Sequence, residues 1–155
     1  SPIGKVAIRA DLEVHFERFK VAVERAGQFD TPNIRVFSFY YGEEEPAACR
    51  DAVIAQFERM VGYAADHGCT VLHENEKGIY GDTPERCLDL VQSVDHPNLR
   101  LIFDPSNFIH CGVRPDAEAW PLLGDHVAYF HIKDAEAASG RVVPAGCGDA
   151  GMWRC

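Results

Sequence analysis

The chain has 155 residues, 46% of them hydrophobic, with 15 Lys and Arg against 24 Asp and Glu and a formal net charge of -9 at pH 7. That length supports one domain with a real core, so residues 1–155 read as a single domain. Scattered cations on an acidic chain do not build the basic surface that nucleic acid needs, no apolar run approaches the roughly 20 residues of a membrane helix, and no signal peptide opens the chain; no nucleic-acid or membrane partner is expected, and the default location is cytoplasmic.

In chain order, residues 11–29 carry an apolar stripe of Leu12, Phe16, Phe19, Val21, Val23 and Ala26, which predicts a helix, and residues 34–40 read as a strand from their β-branched and aromatic content. Glu43, Glu44, Glu45 and Pro46 open a second helix that continues to about residue 67, with Val53, Ile54, Phe57, Met60, Val61 and Ala64 inward and Gly68 as its stop. A strand over 70–74 follows. Thr83 as N-cap and Pro84 at the first helical position predict a helix to about residue 94. After the turn at 95–98 come a strand over 99–104, a loop to 115, a short helix near 116–123 and a strand over 127–132. The cysteines at 49, 69, 87, 111, 147 and 155 form no CxxC pattern and read as reduced thiols. His15, His67, His96 and His126 fall on helix or turn surfaces, and His73 on the helix-facing side of its strand.

Strands alternating with helices predict an α/β chain with a parallel sheet. No GxGxxG or Walker sequence marks a doubly wound sheet. A barrel explains better why three apolar runs each stop at metal-competent residues: Leu72-His73-Glu74-Asn75-Glu76, Ile102-Phe103-Asp104 and Phe130-His131-Ile132-Lys133. Glu74, Asp104 and His131 then sit at strand C-terminal ends, where barrels gather their active sites. A (β/α)8 barrel needs about 200 residues or more, so both ends read as cut: Ser1 has no preceding strand, and Met152-Trp153-Arg154-Cys155 stop where a helix and strand would follow.

Two carboxylates and an imidazole without thiolates suit Mn, Mg, Co or Zn. Such a metal polarises a carbonyl, and proton transfer between neighbouring carbons then needs a base, for which Glu74 and Glu76 are the local candidates. Lys133 is a candidate for neutralising an oxyanion or phosphate, and His110 and Arg114 for contacting substrate. Cys147 has no partner histidine that would make it a nucleophile.

Arg35-Val36-Phe37-Ser38-Phe39, His73-Glu74-Asn75-Glu76, Phe103-Asp104-Pro105-Ser106-Asn107 and His131-Ile132-Lys133-Asp134, with Ser1-Pro2-Ile3-Gly4-Lys5 before them and Pro144-Ala145-Gly146 after, resemble the xylose isomerase-like TIM-barrel superfamily. That superfamily holds sugar and sugar phosphate isomerases and epimerases, inosose dehydratases and endonuclease IV. The resemblance implies an incomplete (β/α)8 TIM barrel from about the end of strand three through strand seven, with Glu74, Asp104 and His131 as metal ligands on strands five, six and seven. It implies a further glutamate on an eighth strand, beyond Cys155, that shares the proton transfer with Glu74. From the residues themselves, Glu74 and Lys133 are the candidate catalytic residues, and Glu76, Asn107, His110 and Arg114 the candidate substrate contacts. Cys147 stands where the family often has a glutamate, and Asn107 where endonuclease IV has a zinc-binding histidine, which weighs against DNA repair.

The expected function is a metal-dependent sugar or sugar phosphate isomerase or epimerase, acting on a small carbohydrate by proton transfer through an enediolate. The alternatives are a polyol or keto-acid dehydratase and a non-catalytic barrel fragment or binding protein. Unpaired strands at the sheet edges leave homo-oligomerisation open.

Overall fold

A computed structural model describes residues 2–151; Ser1, the last four residues and hence the reading of Cys155 lie outside the described residues. Helix α1 spans Leu12–Gln28, capped by the Asp11 carboxylate on the amides of Glu13 and Val14, and is followed by strand β1, Asn33–Val36. Next come α2 (Pro46–Asp66), β2 (Thr70–Glu74), α3 (Pro84–Val94) and β3 (Leu99–Phe103). A short helix α4, Pro105–His110, a π-helical turn, Pro115–Ala119, helix α5, Trp120–Leu123, and a 3-10 turn, Gly124–His126, lead into β4, Val127–Phe130. The two-residue strands β5 (Asp134–Ala135) and β6 (Val142–Val143) form an antiparallel hairpin.

The strands β1, β2, β3 and β4 lie in chain order in one parallel sheet. Alternation splits each strand between two faces. Ile34, Val36, Val71, Leu101 and Phe103 join Phe57, Met60, Leu90 and Leu123 from the helices in the main core. Asn33, Arg35, Leu72, Ile102 and Tyr129 face the opposite way and line an open cavity of about 320 Å³ that ends at His131. Within this core Phe39 packs edge to face on Phe57, with the ring centroids 6.4 Å apart.

Several expectations need correction. The first strand ends at Val36 rather than residue 40, because the amides of Phe37, Phe39 and Tyr40 turn to the carbonyls of Ile3, Gly4 and Val6, and Phe39 takes φ +63°. Gly4 permits this contact: a Cβ there would lie 1.8 Å from the Phe37 carbonyl oxygen. Val21 is 51% exposed and outside the core, whereas His15 is buried and accepts the Gly4 amide at 3.0 Å on a ring nitrogen. The loop after Asp104 contains helix α4, signalled by the Asp-Pro pair that caps it. The last parallel strand stops at Phe130, although the His131 amide still donates to the Phe103 carbonyl at 3.0 Å. Cys49, Cys69, Cys87, Cys111 and Cys147 are free thiols. No helix among the described residues is long and apolar enough to cross a membrane.

Candidate metal centre

Strand alternation places Glu74 above Leu72, Asp104 above Ile102 and His131 above Tyr129 on the cavity side of the sheet. Their side chains meet. Glu74 Oε1 lies 3.1 Å and Asp104 Oδ2 3.4 Å from His131 Nδ1, and one ligand atom from each of the three falls within 4.8 Å of the others. Glu74 is 4% exposed and Asp104 fully buried. Burial pushes the Glu74 carboxyl above its ordinary range; His131 and Arg35 pull it down, and Asp104 adds to the rise.

Two cations answer part of this negative charge. Arg35 Nη1 donates to Glu74 Oε2 at 3.1 Å, which leaves Oε1 toward His131. Lys133 Nζ donates to Asn107 Oδ1 at 3.0 Å and lies 3.5 Å from Asp104 Oδ2. Asp104 divides its oxygens: Oδ1 accepts the Asn107 amide at 2.9 Å and caps α4, and Oδ2 faces the cluster. Buried carboxylates gathered with an imidazole are costly without a shared cation, and this oxygen and nitrogen set fits a divalent ion.

Of the residues picked from sequence, Glu74, Asp104, His131, Lys133 and Asn107 come together. Glu76 pairs with Lys5 at 2.6 Å and is not one of the three clustered ligand groups. His110 hydrogen-bonds the Gly140 carbonyl at 3.0 Å, and the exposed Arg114 lines a separate cavity with Asp116 and Asp149. Sequence reasoning passed over Arg35 and Asn75. Arg35 could have been found from alternation, since the register sets it opposite Leu72 on the cavity face. His73 turns to the helices as expected: its Nε2 is 3.0 Å from Ser38 Oγ, and burial pushes its pKa down to about 3.

Asp134 orders the glycine-rich segment. Its buried carboxylate accepts amides from Ala135, Gly146, Gly148 and Ala150 at 2.8–3.0 Å. Those backbone donors are therefore turned inward onto a carboxylate of the chain itself. Gly148 is required there, because a Cβ would stand 2.4 Å from both the Ala135 carbonyl oxygen and Asp134 Oδ1.

With this geometry in hand, known proteins resemble the chain along most of its length. A curated 3-dehydroshikimate dehydratase of Bacillus anthracis is 25% identical over 134 residues, 86% of this chain and 48% of the relative. The chain thus spans about half the length of the curated relative it matches. The structure of the probable 3-DHS dehydratase AsbF from Bacillus anthracis superposes with a TM-score of 0.78 at 24% identity, over 95% of this chain and 60% of that one. A xylose isomerase-like TIM barrel protein from Mycobacterium smegmatis, in complex with magnesium, gives 0.70 at 18% identity over 90% and 55%. The model of the xylose isomerase-like TIM barrel family matches residues 8–154, and the chain belongs to that family.

Proposed function

We propose that the protein is a divalent-metal-dependent enzyme that removes a proton from a carbon next to a carbonyl of a small polyhydroxylated substrate and returns it through an enediolate, as a sugar or sugar phosphate isomerase or epimerase. The observation that carries this reading is the convergence of Glu74, Asp104 and His131 on one ion-sized space at the strand ends. These three residues would hold the ion, which supplies Lewis-acid polarisation of substrate oxygens. Arg35 fixes the Glu74 carboxylate through Oε2 and orients Oε1 toward the cluster. Glu74, buried at the strand end, is the carboxylate placed to take a proton and give it back. Lys133, anchored on Asn107, sets a positive charge beside the centre where an oxyanion would develop.

A second reading, a dehydratase acting on a cyclic polyol or keto acid, has the specific support of the sequence relative named as a 3-dehydroshikimate dehydratase. It shares the proton removal by Glu74 and differs only in the next step, in which the neighbouring carbon loses its hydroxyl as water.

The test has two stages. Mn, Co, Mg and Zn ions are titrated against this chain in a thermal-shift assay, because a ligand that binds only the folded state raises its stability. Unchanged unfolding temperatures with all four refute the metal centre and favour a binding protein. Aldoses, ketoses and cyclic keto acids are then incubated with the enzyme in deuterated water: deuterium at an α-carbon of recovered sugar supports the isomerase, and an ultraviolet-absorbing enone supports the dehydratase.

A further inference from the structure

Parallel pairing of β2 and β3 ends at Glu74 opposite Ile102, two positions before Asp104, and Pro105 then turns the chain into α4. Buried Asp104 therefore needs partners for its own N–H and C=O, and the Phe108 amide reaches that C=O only at 3.4 Å. The Asn75 side chain supplies both. Its Oδ1 accepts the Asp104 amide at 2.9 Å and its Nδ2 donates to the Asp104 carbonyl at 2.9 Å. The Asn75 carbonyl in turn accepts Nδ2 of Asn107 at 2.9 Å. Asn75 is 2% exposed and Asn107 8%, so water does not compete for these bonds.

We infer that Asn75 is the positioning residue of the metal centre: by clamping the Asp104 backbone from both sides it presents one oxygen of Asp104, and only one, to the ion. The inference rests on the metal reading above. Three polar groups of Asp104 are already committed: its N–H to Asn75, its C=O to Asn75 and the Phe108 amide, and its Oδ1 to the backbone N–H of Asn107, whose side chain is itself tied to Asn75. Oδ2 is what remains for the cluster, 3.4 Å from His131 Nδ1. An amide side chain is required, because a carboxylate lacks the donor, a hydroxyl is too short to span both groups, and an alanine leaves a buried N–H unpaired.

The experiment compares the wild-type chain, Asn75→Ala and Val53→Ala, the last a cavity variant in the α2 core. Cobalt(II) affinity and its visible absorption band are measured, together with amide hydrogen exchange at Asp104 without metal. The expected result is a cobalt affinity about 10- to 100-fold weaker in Asn75→Ala with an altered band, Asp104 exchange at least tenfold faster, and both properties at the wild-type level in Val53→Ala. Wild-type exchange at Asp104 in Asn75→Ala, or a cobalt affinity no weaker than that of Val53→Ala, overturns the inference. A wild-type chain that does not bind cobalt overturns the metal reading itself. That failure is distinguishable, because the exchange measurement involves no ion.

Discussion

His73 gives the chain a predictable sensitivity to acid. Its ring is fully buried, edge-on to Phe57 at 5.7 Å, with Nε2 on Ser38 Oγ and no hydrogen-bond partner for Nδ1 among the described residues. Burial pushes its pKa down from the ordinary 6.5 to about 3. The unfolded chain binds a proton below pH 6.5 while the folded chain does not, so stability is complete above that pH and is lost as pH falls toward 3. Each pH unit in this window is worth about 1.4 kcal/mol, and the whole window about 5 kcal/mol, comparable with the total stability of a small domain. Glu74 acts in the opposite sense: its raised pKa favours the folded state at low pH, and the contribution is lost as pH rises. That effect is common to wild type and to His73→Gln, so the difference between them isolates the histidine. Urea unfolding from pH 7 to pH 4 is expected to show wild type losing about 3 kcal/mol more than His73→Gln. Parallel stability curves would refute the argument and mean that the ring is protonated or hydrated in the folded protein.

Gly81→Ala is expected to cost about 1–3 kcal/mol in denaturant unfolding, since its Cβ would stand 2.4 Å from His73 Cε1 and 3.1 Å from Ser38 Oγ; an unchanged midpoint would show that the ring can move aside. Asp134→Asn replaces an acceptor of four amides by a group that must turn a donor toward some of them. Trypsin cleavage after Arg141, in the hairpin that Asp134 begins, should speed up about tenfold or more, as local opening becomes easier by about 1.4 kcal/mol; an unaltered rate contradicts the role assigned to that carboxylate. Ser106 Oγ is buried and finds no partner among the described residues. Ser106→Ala should therefore be neutral within about 0.5 kcal/mol or stabilise by about 1 kcal/mol, and a loss of stability would reveal a partner for the hydroxyl.

Local signals were enough for the framework. The apolar stripe from Val53 to Ala64, the Thr83-Pro84 start and the β-branched runs before Glu74 and Asp104 set helices and strands in the order found. The period of two set Glu74 on the face of Leu72, Asp104 on that of Ile102 and His131 on that of Tyr129, since alternation is a property of the extended backbone and needs no knowledge of neighbours, while the family resemblance ranked Glu74 ahead of Glu76. Other features depend on groups distant in sequence. The strand after residue 33 is cut short by carbonyls of residues 3, 4 and 6, and His15 is buried because the Gly4 amide comes to it. Arg35 reaches Glu74 across 39 positions, Asn75 reaches Asp104 across 29, and Lys5 reaches Glu76 across 71. Residue types and spacing determined which groups lie at the strand ends. Only the packed sheet decided which of them touch, because hydrogen bonds and ion pairs act over a few ångströms and the chain must fold before residues so far apart in sequence come within that range.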